Sequence, residues 1–199
     1  MALATYSDLQ TSVGQWLNRT DLSAYVSDFI ALAEEDIRND VRVQAMEQRA
    51  TGTLTGETLA HPSRYIEART LFVGGKQYKY RTPEKYQILS DAGSTERIFT
   101  SIGQNLYILG GASGDAYVLI YWQAFAPFSG ASDTNWLLTN APGAYLWAAC
   151  KHGATWLKDD AAIAKFGGMY ASAVQRVNGR EKFSAVSGSP LEIQPAISE

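Results

Sequence analysis

The chain has 199 residues, 46% hydrophobic and 19% charged, enough apolar material for one real core or for a helical body with a sizeable insertion. A formal net charge of −3 argues against generic attraction to nucleic acid, and a single cysteine, Cys150, excludes an internal disulfide framework. Met1-Ala2-Leu3-Ala4-Thr5-Tyr6 lacks the basic and apolar regions of a signal peptide, and no run is long enough to span a bilayer. Synthesis in the cytoplasm and no membrane partner are therefore expected.

Ser7-Asp8-Leu9-Gln10 has the form of a capping box, and Leu9, Val13, Trp16 and Leu17 follow at helical spacing, which predicts a short amphipathic helix. After a break at Asn18-Arg19-Thr20, a longer helix is predicted over 22–43. Leu22, Val26, Phe29, Ile30, Ala33, Ile37 and Val41 fall on its inner face. Asp28, Glu34, Glu35 and Asp40 fall largely away from that face, and Glu34-Glu35-Asp36 reads as a solvated edge.

The period then changes. Thr51 to Thr58 is strand-and-turn material, and Arg64 to Val73 is rich in strand formers. Gly74-Gly75 predicts a tight hairpin leading into Lys76-Gln77-Tyr78-Lys79-Tyr80. Thr82 and Pro83 suit the N-cap and first position of a short helix near 83–91 that carries Tyr86 and Leu89 inward. Three more strands are expected at 97–102, 106–109 and 116–123. The middle of the chain, 45–133, thus reads as a small antiparallel β-domain inserted between two helical arms, 1–44 and 134–183.

The second arm opens with Asn135-Trp136-Leu137-Leu138. It continues through a helix started by Pro142 and carrying Tyr145, Leu146, Trp147, Ala148, Ala149 and Trp156. Asp159-Asp160 reads as the cap of a further helix, in which Ile163, Phe166, Tyr170, Ala173, Val174 and Val177 recur at spacings of three and four. So short a connection makes these two helices antiparallel neighbours. The expected helical core comprises Phe29, Ile30, Ile37, Trp136, Leu137, Tyr145, Leu146, Trp156, Phe166 and Tyr170. Residues 184–199, with Val186, Leu191, Ile193 and Ile197 among Ser, Gly and Pro, have no period and read either as a frayed terminus or as an extended C-terminal arm that orders on a partner.

Charge is uneven. Residues 1–63 carry four basic and nine acidic side chains, whereas 64–97 carry seven basic and four acidic. Residues 98–150 have no Lys or Arg and only Asp115 and Asp133, and 151–183 return to six basic against three acidic. An aromatic segment so poor in charge is either buried or lies against something else.

Catalytic vocabulary is sparse. Gly74-Gly75-Lys76 fails as a phosphate loop, because Thr70 stands where its first glycine belongs and Gln77 where its Ser/Thr belongs. Cys150 and His152 lie two apart on a predicted helix and do not face each other, so they read as core packing rather than a nucleophile pair. His61 has no second His or Cys nearby for a metal. No catalytic, cofactor-binding or metal-binding residue is expected. The competing readings are a carbohydrate- or peptide-binding module using Tyr78, Tyr80, Tyr107, Tyr117, Tyr121 and Trp122, and a cysteine hydrolase built on Cys150.

The order of features is similar to that of the head-to-tail adaptor (connector) proteins of short-tailed phages, the group that includes tail tubular protein A. The likeness rests on Leu32-Ala33-Glu34-Glu35-Asp36-Ile37-Arg38-Asn39-Asp40-Val41-Arg42, then Tyr65-Ile66-Glu67-Ala68-Arg69 and Tyr80-Arg81-Thr82-Pro83-Glu84-Lys85-Tyr86. It continues through Tyr121-Trp122, Asn135-Trp136-Leu137-Leu138, Ala141-Pro142, Tyr145-Leu146 and Leu157-Lys158-Asp159-Asp160, and is freest at 45–63 and in the C-terminal tail. The resemblance implies an α+β fold, with an antiparallel helical bundle from the N- and C-terminal segments around the inserted β-domain. It further implies a structural virion protein of the tail or neck, made in the host cytoplasm. Such a subunit forms a homo-oligomeric ring, typically a dodecamer, that joins the portal to the tail nozzle, with tail fibres as a further partner. DNA passes through the ring's channel without specific binding, and Leu191, Ile193 and Ile197 would dock on the portal.

Overall fold

The computed structural model describes residues 3–186. Over these residues the chain is α+β, with six helices and seven strands. In chain order they are α1 (Tyr6–Leu17), α2 (Val26–Asp40), β1 (Glu47–Thr53), β2 (Thr58–Ala60), β3 (Tyr65–Val73), β4 (Lys76–Tyr80), α3 (Pro83–Asp91), β5 (Ile98–Ile102), β6 (Asn105–Leu109), β7 (Ala116–Gln123), α4 (Trp136–Asn140), α5 (Pro142–Trp156) and α6 (Asp160–Val186). The chain divides into two compact units, one formed by Ala45–Phe128 and the other by the residues on either side of it. No helix among the described residues is long and apolar enough to cross a membrane.

In the helical unit α5 is the central element, packing against α1, α2, α4 and α6. Its sequence explains this. Ala144, Tyr145, Leu146, Ala148, Ala149, Cys150, Gly153 and Ala154 are all buried, so small residues alternate with large ones on several sides. Gly153 has no Cβ where Leu17 of α1 comes closest; a Cβ there would meet Leu17 Cδ1 at 2.5 Å. From α2, Val26, Phe29, Ile30, Ala33 and Ile37 are buried on one stripe. Each large side chain among them contributes about 1.5–3 kcal/mol by leaving water.

The helix ends differ from expectation in instructive ways. The capping box of α1 is Thr5 with Asp8, not Ser7 with Gln10. Thr5 Oγ1 accepts from the Asp8 amide at 3.2 Å, and Asp8 Oδ2 accepts from the Thr5 amide at 3.1 Å. The next two amides, of Tyr6 and Ser7, donate to the carbonyls of Asp133 and Ala131 at 2.8 and 3.0 Å, so residues 129–133 belong with the helices. The second helix is shorter than 22–43. Leu22 to Tyr25 form a turn before it, and Val41 becomes extended after it. Asn178 of α6 takes up the end of α2: its Nδ2 donates to the Asp40 carbonyl at 2.9 Å and its Oδ1 accepts from the Arg42 amide at 3.0 Å. Asp159 caps α6, accepting from the Ala162 amide at 3.0 Å. That helix runs to Val186, so residues 184–186, expected in the arm, continue the helix backbone. Leu191, Ile193 and Ile197 lie outside the described residues.

The second unit contains the strands, in the order β1-β7-β3-β4-β5-β6-β2. Gly74 and Gly75, at φ of 57° and 74°, make the hairpin between β3 and β4. Leu54, Leu71, Val73, Tyr78, Phe99, Leu106, Ile108, Leu119 and Tyr121 form its apolar core, which absorbs part of the charge-poor segment. The strand directions differ from expectation. The sheet is not antiparallel throughout, because β4 and β5 pair in parallel through Lys79↔Ile98 and Tyr80↔Phe99. The cause is α3, which lies between those two strands and returns the chain to the same end.

Candidate functional site

Eight of the ten residues expected in the helical core are buried: Phe29, Ile30, Ile37, Leu137, Tyr145, Leu146, Phe166 and Tyr170. Trp136 and Trp156 are not. They are 36% and 44% exposed, and both stand at helix ends. Trp136 is the first residue of α4, whose inward positions go to Leu137 and Leu138. Trp156 is the last residue of α5, and it meets Tyr25, itself 47% exposed, edge-on with centroids 5.2 Å apart. Trp16 meets Trp147 edge-on at 4.8 Å, and Trp147 stacks on Phe166 at 6.2 Å. The helical unit therefore shows several large aromatic rings at its surface, a property of surfaces that associate.

Several of its polar groups are engaged in pairs across helices. Asp36, expected on a solvated edge, is partly buried: Lys151 Nζ donates to its Oδ2 at 2.5 Å, and His152 Nε2 lies 2.8 Å from the same oxygen. Burial alone would raise the Asp36 pKa, but these two donors and their charges outweigh it and hold the carboxyl below its ordinary range. Tyr170 donates to Asp40 Oδ2 at 2.9 Å, and burial together with that carboxylate pushes the phenol pKa upward. His152 is thus a tether between α5 and α2 rather than plain core packing. No local sequence signal marks it, because its partner lies 116 residues away. Cys150 is fully buried, and burial pushes its thiol up to about 12. A thiol held protonated in a dry core is no nucleophile.

In the strand unit the six aromatic residues of the binding-module reading do not share a platform. Tyr78 and Tyr121 belong to the core, Trp122 is covered by the Arg69 guanidinium at 5.0 Å, and Tyr107 meets Tyr86 edge-on at 6.5 Å. Tyr117 packs against that core, and Tyr80, 53% exposed, meets Phe99 edge-on at 5.6 Å. His61 stacks on Tyr65 at 4.0 Å with its Nε2 3.1 Å from Ser101 Oγ, and burial lowers its pKa. No group of three His, Cys, Asp or Glu suited to a metal occurs among the described residues.

Two concavities among the described residues bear on function. One, of about 640 Å³, is lined by Gln10, Gln15, Asn18, Arg19 and Ser23 around the α1–α2 connection, and Arg19 is already held by Asp21 at 2.6 Å. The other, of about 470 Å³, lies in the strand unit between Gln77, Lys79 and Arg81 on one side and Thr95, Glu96 and Arg97 on the other. Three cations and one carboxylate line it, and none of the four forms an ion pair among the described residues.

Neither concavity brings acid, base and nucleophile together, so comparison with known families decides the class. A family model described as SU10 adaptor protein matches residues 4–194. The chain belongs to the SU10 adaptor protein family. No curated protein matches it. The SU10 adaptors are structural proteins of phages rather than enzymes, components of the head–tail region of the virion that assemble with other virion proteins. The surface aromatics and the paired polar groups of this adaptor accord with a molecule shaped for contact.

Proposed function

We propose that this chain is a head-to-tail adaptor subunit of the tail tubular protein A kind. Copies of it form a ring, a dodecamer when assembled, that joins the portal to the tail nozzle and lines the channel through which DNA passes. In this reading the bundled helices form the body of each subunit and the strand unit is an insertion within it. The observation that carries the proposal is the family match over nearly the whole chain. Physical features support it. A closed ring requires two different lateral faces per subunit, and the unlike charge of 1–63 and 64–97 suits such a pair. An acidic overall balance suits a conduit that must release its cargo, since a strongly basic wall would hold DNA by its phosphates.

In the same reading the C-terminal arm docks on the portal through Leu191, Ile193 and Ile197. Because α6 runs to Val186, the informative truncation removes residues 187–199 and leaves the helix intact. The shortened chain is expected to unfold at the parental temperature and to lose portal binding, measured by cosedimentation with the matching portal. Retained binding would refute the arm's role. Imaging of the full chain mixed with that portal tests the ring itself, and bare portals would refute it.

A further inference from the structure

We infer that the groove lined by Lys79, Arg81 and Arg97 receives the acidic outer stripe of α2, Asp28–Leu32–Glu35, from a second copy of this chain. The inference rests on the ring reading above and names the contact that would build it.

The groove follows from strand geometry. Gln77 and Lys79 alternate onto one face of β4 and Arg81 follows just past its end, its amide donating to the Phe99 carbonyl at 2.9 Å, while Tyr78 is buried in the core. The Lys79 amide donates to the Arg97 carbonyl at 2.9 Å, which fixes Arg97 beside Lys79. Residues two apart on a strand lie about 7 Å apart, and Arg97 on the adjoining segment widens the cationic zone to about 10 Å. Against three cations the groove holds one carboxylate, Glu96. Without a partner these like charges repel one another, and an anionic partner relieves that repulsion.

The matching surface is on α2. Asp28, Leu32 and Glu35 sit at i, i+4 and i+7, on the side of the helix opposite its buried stripe, and all three are exposed. Seven residues of helix set the two carboxylates about 10 Å apart, the width of the cationic zone. Leu32, 45% exposed between them, offers apolar contact at the centre. Two charges flanking an apolar residue describe half of a protein–protein contact. A nucleic acid fits the groove less well. Glu96 would face its phosphates, and a pocket of about 470 Å³ admits side chains rather than a duplex.

Because groove and stripe are different surfaces, their pairing between copies is heterologous and propagates around a ring. Charge reversal exploits this. Full-length Lys79→Glu/Arg97→Glu carries an acidic groove, and full-length Asp28→Lys/Glu35→Lys carries a basic stripe. All four residues are exposed, so each variant should keep the parental circular dichroism and unfolding midpoint. The milder Lys79→Gln/Arg97→Gln pair guards against misfolding and should give a partial loss.

The measurement is the number of copies bound per matching portal, with ring formation followed by negative-stain imaging. Each reversed variant alone should show occupancy lowered at least about tenfold. An equimolar mixture of the two should return to parental occupancy, because every junction of an alternating ring then pairs unlike charges. Parental occupancy by either reversed variant alone would overturn the contact while leaving the ring standing. A mixture no better than its components would also overturn it, since a contact within one chain gives that result. If the parental chain forms no ring on the portal, the ring reading fails and this inference fails with it.

Discussion

Asp36 shows how one carboxylate can join elements distant in sequence. It accepts from two consecutive residues of α5, Lys151 and His152, while itself standing on α2. Its pKa is lower in the folded chain than in the unfolded chain, so as pH falls the unfolded state takes up a proton first. The stabilisation is therefore complete above the ordinary aspartate range near pH 4 and is lost as pH falls through the lower folded pKa. Asp36→Asn is expected to cost about 1–2 kcal/mol at pH 7, because the Lys151 ammonium and the His152 ring lose a charged acceptor that is only partly exposed. Urea unfolding at pH 7 and pH 3 checks this: the variant and its parent should differ less at the lower pH. Nothing near Asp36 in sequence announces this role. Two acidic neighbours on an amphipathic helix read as solvated edge, and only the tertiary fold brings the donors. The misplacement of Trp136 and Trp156 has a different origin. Their hydrophobicity reads as burial, but a helix covers its middle better than its ends.

Among the elements, α6 carries glycines that do nothing for packing. Gly168 is exposed, and a Cβ added there would meet no atom within 4 Å. Gly168→Ala should stabilise the isolated chain by roughly 0.5–1 kcal/mol, read from the shift of its urea midpoint. Gly153 is the opposite case. Gly153→Val forces a branched side chain into Leu17 and should cost about 1–3 kcal/mol in the same measurement. Helices and strands were legible in the sequence where period, caps and turns agreed, as at Gly74-Gly75 and at Thr82-Pro83. The direction of β5 was legible too, but in a different signal. A strand, a helix and a strand in succession is the pattern of a parallel crossover, and it outweighs the prior for antiparallel neighbours. At the start of α1, Thr5-x-x-Asp8 and Ser7-x-x-Gln10 both satisfy the capping pattern. The choice fell to the carbonyls of Ala131 and Asp133, over a hundred residues away.

At the scale of the whole molecule, the strand unit has a core of its own, drawn entirely from residues between Leu54 and Tyr121. Residues 45–128 expressed alone should therefore give a β-type circular dichroism spectrum and a cooperative thermal transition. A featureless melt would mean that the unit depends on the rest of the chain. The groove on this unit was invisible in the sequence, since Lys79 and Arg97 come together only through the short pairing after α3. What was visible was the basic excess of 64–97 as a whole. The pairing of β1 with β7 has a mechanical consequence. Glu47, two residues inside the unit, lies opposite Trp122, so the chain arrives and departs at the same end of one antiparallel ladder. Tension applied across those two points would load the rungs one after another, like the teeth of a zip, rather than all together in shear. Strain passing along the backbone would first peel β1 from β7, and the hairpin of β3 and β4 would still be intact when it did.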